Sequence, residues 1–240
     1  MIEIIPAIDL IDGKCVRLTH GDFASEKIYS DEPLETAKRF ESAGLKRLHV
    51  IDLDGAKIGK PKNLAVLELI AKGTNLTIDF GGGIKTRADL ESVFSAGAAI
   101  ANSGSIAAKE PETFLGWIDK YGKEEILLGA DAKDGNIAID GWQTETDLSI
   151  IDYLKNYTDR GVTAAFVTDI GCDGAMGGPS TALYRQIIES VPQIDLIASG
   201  GVSSLLNIEE LEQIGCAGVI IGKAIYEGAI KLEELSQYAG

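Results

Sequence analysis

The chain has 240 residues, 45% hydrophobic and 25% charged, which is enough apolar material for a sizeable core and argues against disorder. Against 22 basic side chains stand 37 acidic ones, and the net charge of −15 sets up a field that repels nucleic acid and anionic membranes. Cys15, Cys172 and Cys216 form neither a CxxC pair nor a ligand cluster, the start Met-Ile-Glu-Ile-Ile-Pro lacks a basic n-region, and no apolar run approaches the ~18 residues of a membrane span, so a cytoplasmic protein without disulfides or zinc is expected.

In chain order, short apolar runs alternate with longer amphipathic ones. A strand over Ile2–Asp9 is followed by a helix over Pro33–Ala43, with Pro at its first turn and Gly44 at its stop. Next come a strand Arg47–Asp52 and a helix Pro61–Lys72 stopped by Gly73, then a strand Leu76–Phe80 and a helix Thr86–Ala96 stopped by Gly97. Strand Ala98–Ser103 leads to helix Glu110–Tyr121, and strand Ile126–Asp131 to helix Leu148–Arg160. The last three pairs are Ala164–Asp169 with Thr181–Ser190, Asp195–Ser199 with Ser204–Ile214, and Gly218–Gly222 with Leu232–Tyr238. Eight βα units in a length near ~250 residues predict one (β/α)8 barrel domain, a TIM barrel, over residues 1–240. The open doubly wound sheet is the alternative, but it announces itself with GxGxxG after its first strand, and this strand ends Pro6-Ala7-Ile8-Asp9.

A glycine pattern occurs twice. Adding 118 to Gly82, Gly83, Gly97 and Gly104 gives Gly200, Gly201, Gly215 and Gly222. Each copy is a strand–helix–strand unit with glycine after both strands, where backbone N–H groups approach an anion with no Cβ in the way. Glycines at strand ends are often only turn formers, but a repeated register predicts two half-barrels, two phosphate sites and a bis-phosphorylated small-molecule ligand. The candidate phosphate-binding residues are Gly82, Gly83, Gly104 and Ser105 in the first half. In the second they are Gly178, Gly200, Gly201, Gly222 and Lys223, with Gly178 on a glycine-rich sixth loop.

In a barrel every strand's C-terminal end opens onto one face, which is where catalysis takes place. The first strand ends at Asp9 and the fifth at Asp131, equivalent positions across the mouth. Two such carboxylates make an acid–base pair, or each caps a following loop. Thr168 stands beside a reacting hydroxyl as a hydrogen-bonding partner, and Asp52 and Asp169 divide evenly between chemistry and fixing a loop. Asp173 tunes Asp131 or forms a turn; Arg17 serves a phosphate; His49 points into the mouth or is an interior residue; Trp142 stacks on a planar heterocycle or packs. With no metal-ligand spacing, nucleophile signature or dinucleotide fingerprint, the inventory suits cofactor-free proton transfer on a phosphorylated sugar.

Ile5-Pro6-Ala7-Ile8-Asp9-Leu10, Asp12-Gly13-Lys14-Cys15-Val16-Arg17-Leu18 and Gly21-Asp22 resemble the opening of the phosphoribosylformimino-5-aminoimidazole carboxamide ribotide isomerases of histidine biosynthesis. The match continues through Val50–Ala56, Gly81-Gly82-Gly83-Ile84, Asp140-Gly141-Trp142, Thr168-Asp169-Ile170, Asp173-Gly174 and Ser199-Gly200-Gly201-Val202, nearly the whole chain. The resemblance implies a duplicated half-barrel and a cofactor-free Amadori rearrangement of an aminoaldose carrying a ribose phosphate at each end. It also implies Asp9 as base and Asp131 as acid, although the residues alone allow the reverse. A monomer is expected.

Ser105 stands where that family often has threonine, and His20 where it commonly has glutamine; Gly171-Cys172 and Ala175-Met176-Gly177 also depart from the usual sixth loop. The sister cyclase would carry a lysine where this chain reads Val16-Arg17-Leu18. An isomerase that also rearranges phosphoribosylanthranilate would look much the same. A non-catalytic phosphate-binding barrel would gain nothing from two carboxylates facing a dianion.

Overall fold

The computed structural model describes residues 1–19 and 21–238. Eight parallel strands form its centre: Glu3–Ile11, Arg47–Asp52, Thr77–Gly81, Ile100–Ser103, Ile126–Lys133, Ala164–Asp169, Asp195–Ser199 and Gly218–Ile221. Each pairs with its neighbours in chain order, and the eighth pairs with the first (Glu3 beside Gly218), closing a (β/α)8 barrel. Three of the expected strands, Arg47–Asp52, Ala164–Asp169 and Asp195–Ser199, keep their expected bounds.

Helices between the strands shield the outer face of the barrel. Pro33–Ser42 and Pro111–Tyr121 begin at proline, whose missing N–H is no loss there. Thr86 caps Arg87–Ser95 through a reciprocal pair of bonds with Asp89. The helix expected from Pro61 begins later, at Leu64, because the Asp52 carboxylate accepts the N–H groups of Lys62 (2.6 Å) and Asn63 (2.8 Å) and holds them in a turn. Gly73 is the last residue of that helix rather than a stop beyond it. Most of the apolar core lies between sheet and helices, with Leu48, Leu67, Ile78, Phe80, Leu128, Tyr157 and Leu196 almost fully buried. Cys15 and Cys216 are buried and Cys172 half-buried, all as free thiols. Among the described residues no helix is long and apolar enough to cross a membrane.

Two excursions depart from the expected alternation. After the first strand the chain turns back into Lys14–Thr19 and Asp22–Ser30, and after the fifth into Asn136–Ile139 and Thr144–Ser149. Both begin alike: Asp9 pairs antiparallel with Val16, and Asp131 with Ala138. The turns are Asp12-Gly13 and Asp134-Gly135, all four residues at positive φ, the geometry that Asp-Gly hairpins adopt. The half-barrel repeat thus extends into the loops carrying both aspartates.

Candidate active site

Strand side chains alternate between faces, so Ile5, Ala7 and Asp9 share the interior side, as do Leu127 with Asp131 and Phe166 with Thr168. Ile5, Ala7, Leu127, Phe166, Ile197 and Ile220 pack together as the apolar interior of the barrel. One step further towards the strand C-termini, the same faces line an open cleft. Asp9, Asp131, Thr168, His49, Trp142, Asp173 and Arg17 border it together with Gly82, Gly83, Gly104 and Ser105. A smaller recess continues from Arg17 and Asp173 to Gly200, Gly201, Gly222 and Lys223.

The two aspartates sit in different electrostatic settings. Burial pushes the Asp9 carboxyl up, Arg17 opposes this, Asp173 adds to it and His49 lowers it. Arg17 Nη1 donates to Asp9 Oδ2 at 2.8 Å and its Nη2 lies 3.8 Å from Asp173. Burial pushes Asp131 up to about 6, against hydrogen bonds from the Trp142 indole and the Thr168 hydroxyl. Thr168 is buried and directly opposite Asp131 in the strand register, which explains that contact. Trp142 reaches Asp131 from the second excursion and rests its ring on Gly21 of the first, where an added Cβ would come within 2.5 Å of it. The excursions therefore meet over the mouth.

The glycine pairs repeat in conformation as well as sequence. Gly82 and Gly83 have φ of 103° and 82°, Gly200 and Gly201 of 97° and 80°. A Cβ on Gly83 would come within 2.6 Å of the Gly55 carbonyl oxygen, and one on Gly201 within 2.2 Å of that of Gly178. Only glycine fits such a left-handed, closely packed backbone. Gly104 and Gly222 differ, standing at negative φ immediately before short helices, Ser105–Lys109 and Lys223–Tyr226. The Gly178 N–H, expected at the second phosphate, donates to the Gly201 carbonyl at 3.0 Å, next to the recess that Gly201 lines. Lys223 Nζ donates to the Gly174 carbonyl (2.7 Å) and ties down the sixth loop, while the Ser105 hydroxyl accepts from Asp140 N–H (3.1 Å).

Asp52, left open between two roles, fixes a loop: it is fully buried and also accepts from Gly55 N–H and the Asn63 side chain. Asp169 accepts from Gly171 N–H at 2.9 Å. Lys57 and Lys85 border the cleft beside Gly82-Gly83, and sequence reasoning missed both. Their signal was available: Lys85 follows Gly83-Ile84 directly, as a cation beside an anion cradle would. The expected His20 contact lies outside the described residues. Among those described, no three His, Cys, Asp or Glu side chains converge as metal ligands.

Architecture and cleft define a class, a duplicated (β/α)8 barrel with paired carboxylates at the strand C-termini, where barrel enzymes carry out their chemistry. Residues 3–231 match the family described as "Histidine biosynthesis protein", and the chain belongs to that family. It is 53% identical over 99% of its length to a Parabacteroides distasonis protein, all of which is covered. It is also 51% identical to a Bacteroides fragilis protein (99% of this chain, 100% of the other) and to a Cytophaga hutchinsonii protein (99% of each). All three relatives are named 1-(5-phosphoribosyl)-5-((5-phosphoribosylamino)methylideneamino)imidazole-4-carboxamide isomerase.

Proposed function

We propose that the chain is the aldose–ketose isomerase its relatives are named for, performing the Amadori rearrangement of the bis-phosphorylated aminoaldose in histidine biosynthesis. The observation that carries this reading is the placement of Asp9 and Asp131 in one cleft, with a glycine cradle on either side. The cradles bind the two phosphates through backbone amides, with Lys57 and Lys85 on the first and Arg17 and Lys223 on the second. Such local donors offset the repulsion of a chain at net charge −15.

Electrostatics support Asp131 as the acid and Asp9 as the base. The hydrogen-bond partners of Asp131, Trp142 and Thr168, are neutral, and burial lifts its carboxyl to about 6, so near neutral pH it carries a proton more often than an ordinary aspartate. Asp9 is bonded to the Arg17 guanidinium, which favours its carboxylate. Asp131 protonates the furanose ring oxygen; the C1′–O bond breaks and the nitrogen lone pair forms a protonated Schiff base. Asp9 then removes the C2′ proton, and those electrons form the C1′=C2′ bond of an enolamine. Loss of the C2′ hydroxyl proton and gain of one at C1′ give the ketose, with no net redox change. Trp142 stacks on the carboxamide-bearing heterocycle. The barrel acts as a single-domain cytoplasmic monomer.

The test is to incubate the purified protein with the aminoaldose and follow ketose formation by chromatography, with phosphoribosylanthranilate in a parallel tube. Turnover of the aminoaldose is expected, and turnover of neither compound by folded protein overturns the reading.

A further inference from the structure

The barrel interior holds a buried charged group that the proposed chemistry leaves without a task. Asp79, on the third strand, is fully buried. Its carboxylate receives Arg47 Nε at 2.9 Å and Asn102 Nδ2 at 2.9 Å, and His49 Nδ1 lies 2.5 Å away. Burial alone would raise this carboxyl, but His49 and Arg47 outweigh it and hold it below the ordinary range. Asp79 is therefore an anion, and an anion accepts: the proton shared with the imidazole belongs to Nδ1.

That assignment leaves Nε2 for the cleft, which His49 lines. The ring is held on its other side by the edge of Phe166, with centroids 5.2 Å apart. It shares that cleft with Asp9 and Asp131, one interior layer below Asp9, since His49 pairs with Ala7 on the first strand.

A structural explanation does not cover the arrangement. In the second half-barrel the equivalents of His49, Asp79 and Asn102 are Phe166, Ile197 and Ile220, which fill the same interior without charge. A buried ion pair is rarely more stabilising than apolar residues of similar volume. We infer that Asp79 is a positioning residue that fixes the His49 ring so that Nε2 hydrogen-bonds a ribose hydroxyl between the two phosphates. Arg47 and Asn102 hold Asp79 in turn. The inference rests on the isomerase reading for its substrate, while its geometry does not.

The test has two arms. In wild-type protein, 15N spectra of the histidine ring should show His49 protonated at Nδ1. Ribose 5-phosphate should move the Nε2 signal, whereas inorganic phosphate alone should leave it in place. A bare Nδ1, or an Nε2 indifferent to the sugar, overturns the inference without touching the isomerase reading. The second arm is a double-mutant cycle on turnover of the aminoaldose. Asp79→Asn and His49→Gln should each lower kcat/KM by roughly tenfold or more, the scale known for partners that orient metal-bound histidines. Asp79→Asn should add little in the His49→Gln background, because it acts through the imidazole. Losses that multiply would mean that Asp79 only supports the fold. Absence of turnover in wild-type protein would count against the isomerase reading and leave the spectroscopic arm standing.

Discussion

The two half-barrels share one frame and fill it with opposite chemistry. Strands two to four send Arg47, His49, Asp79 and Asn102 inward, while strands six to eight send Ala164, Phe166, Ile197 and Ile220. The glycine pairs match within a few degrees of φ, and both aspartates open the same Asp-Gly hairpin. The glycine cradles and the paired aspartates are thus repeated, and the polar side chains of the barrel interior are not. A symmetric frame with an asymmetric interior suits the proposed isomerase, in which one carboxylate gives a proton and the other takes one.

Removing the carboxylates tests that asymmetry most severely. Asp9→Asn and Asp131→Asn should each lower turnover by about 10²–10⁴ with substrate affinity little changed. Their stabilities should diverge. The folded Asp131 value of about 6 lies above 3.8, so between the two the folded chain holds a proton that the unfolded chain releases. Stability then falls as pH rises through that window, and above it the full cost of the buried charge remains. Asp131→Asn removes this cost and should gain up to about 3 kcal/mol on wild type between pH 4 and pH 7. Denaturant melts at the two pH values measure it, and a pH-independent difference would mean that Asp131 is not held protonated.

Much of this was legible beforehand. Strand ends, the eightfold alternation and the paired glycines follow from local periodicity and from the backbone demands of tight turns. The two excursions were not read, although Asp12-Gly13 and Asp134-Gly135 carry a hairpin signature, because strands such as Asp22–Ser30 expose most of their length and lack apolar alternation. The Asp79 cluster was beyond reach, since its members come from three strands and meet only when the barrel closes. The bond from Gly178 N–H to the Gly201 carbonyl was not legible either, because a glycine-rich loop does not disclose which amides its own backbone engages.

The cradles offer the next comparison. Gly83→Val and Gly201→Val each place a branched side chain at positive φ against backbone, so each should weaken phosphate binding and cost at least about 1–3 kcal/mol of stability. Gly201→Val should be worse, because its Cβ meets a carbonyl at 2.2 Å rather than 2.6 Å. Asp52 and Asp169 form a similar pair at the ends of strands two and six. Asp52→Ala strands several buried donors and should cost about 3 kcal/mol, against about 1 kcal/mol for Asp169→Ala. Urea unfolding ranks them, and equal losses would show that the two loops are held alike.

The smallest effect concerns the indole above Asp131. Trp142→Phe keeps an aromatic face for the heterocycle and removes one N–H donor from the carboxylate. That donor favours the charged form, so its loss must raise the Asp131 value above about 6. If Asp131 is the acid, kcat/KM falls as it deprotonates, and this descending limb should move to higher pH by up to about one pH unit. A higher value also makes a weaker acid, so the maximal rate should drop a few-fold even as the active range widens. A limb that moves down, or stays while the rate falls, would mean that the titrating group is not Asp131. The equivalent change in the first half, Arg17→Met, should raise Asp9 by removing the cation that opposes its burial, and so shift the opposite, ascending limb.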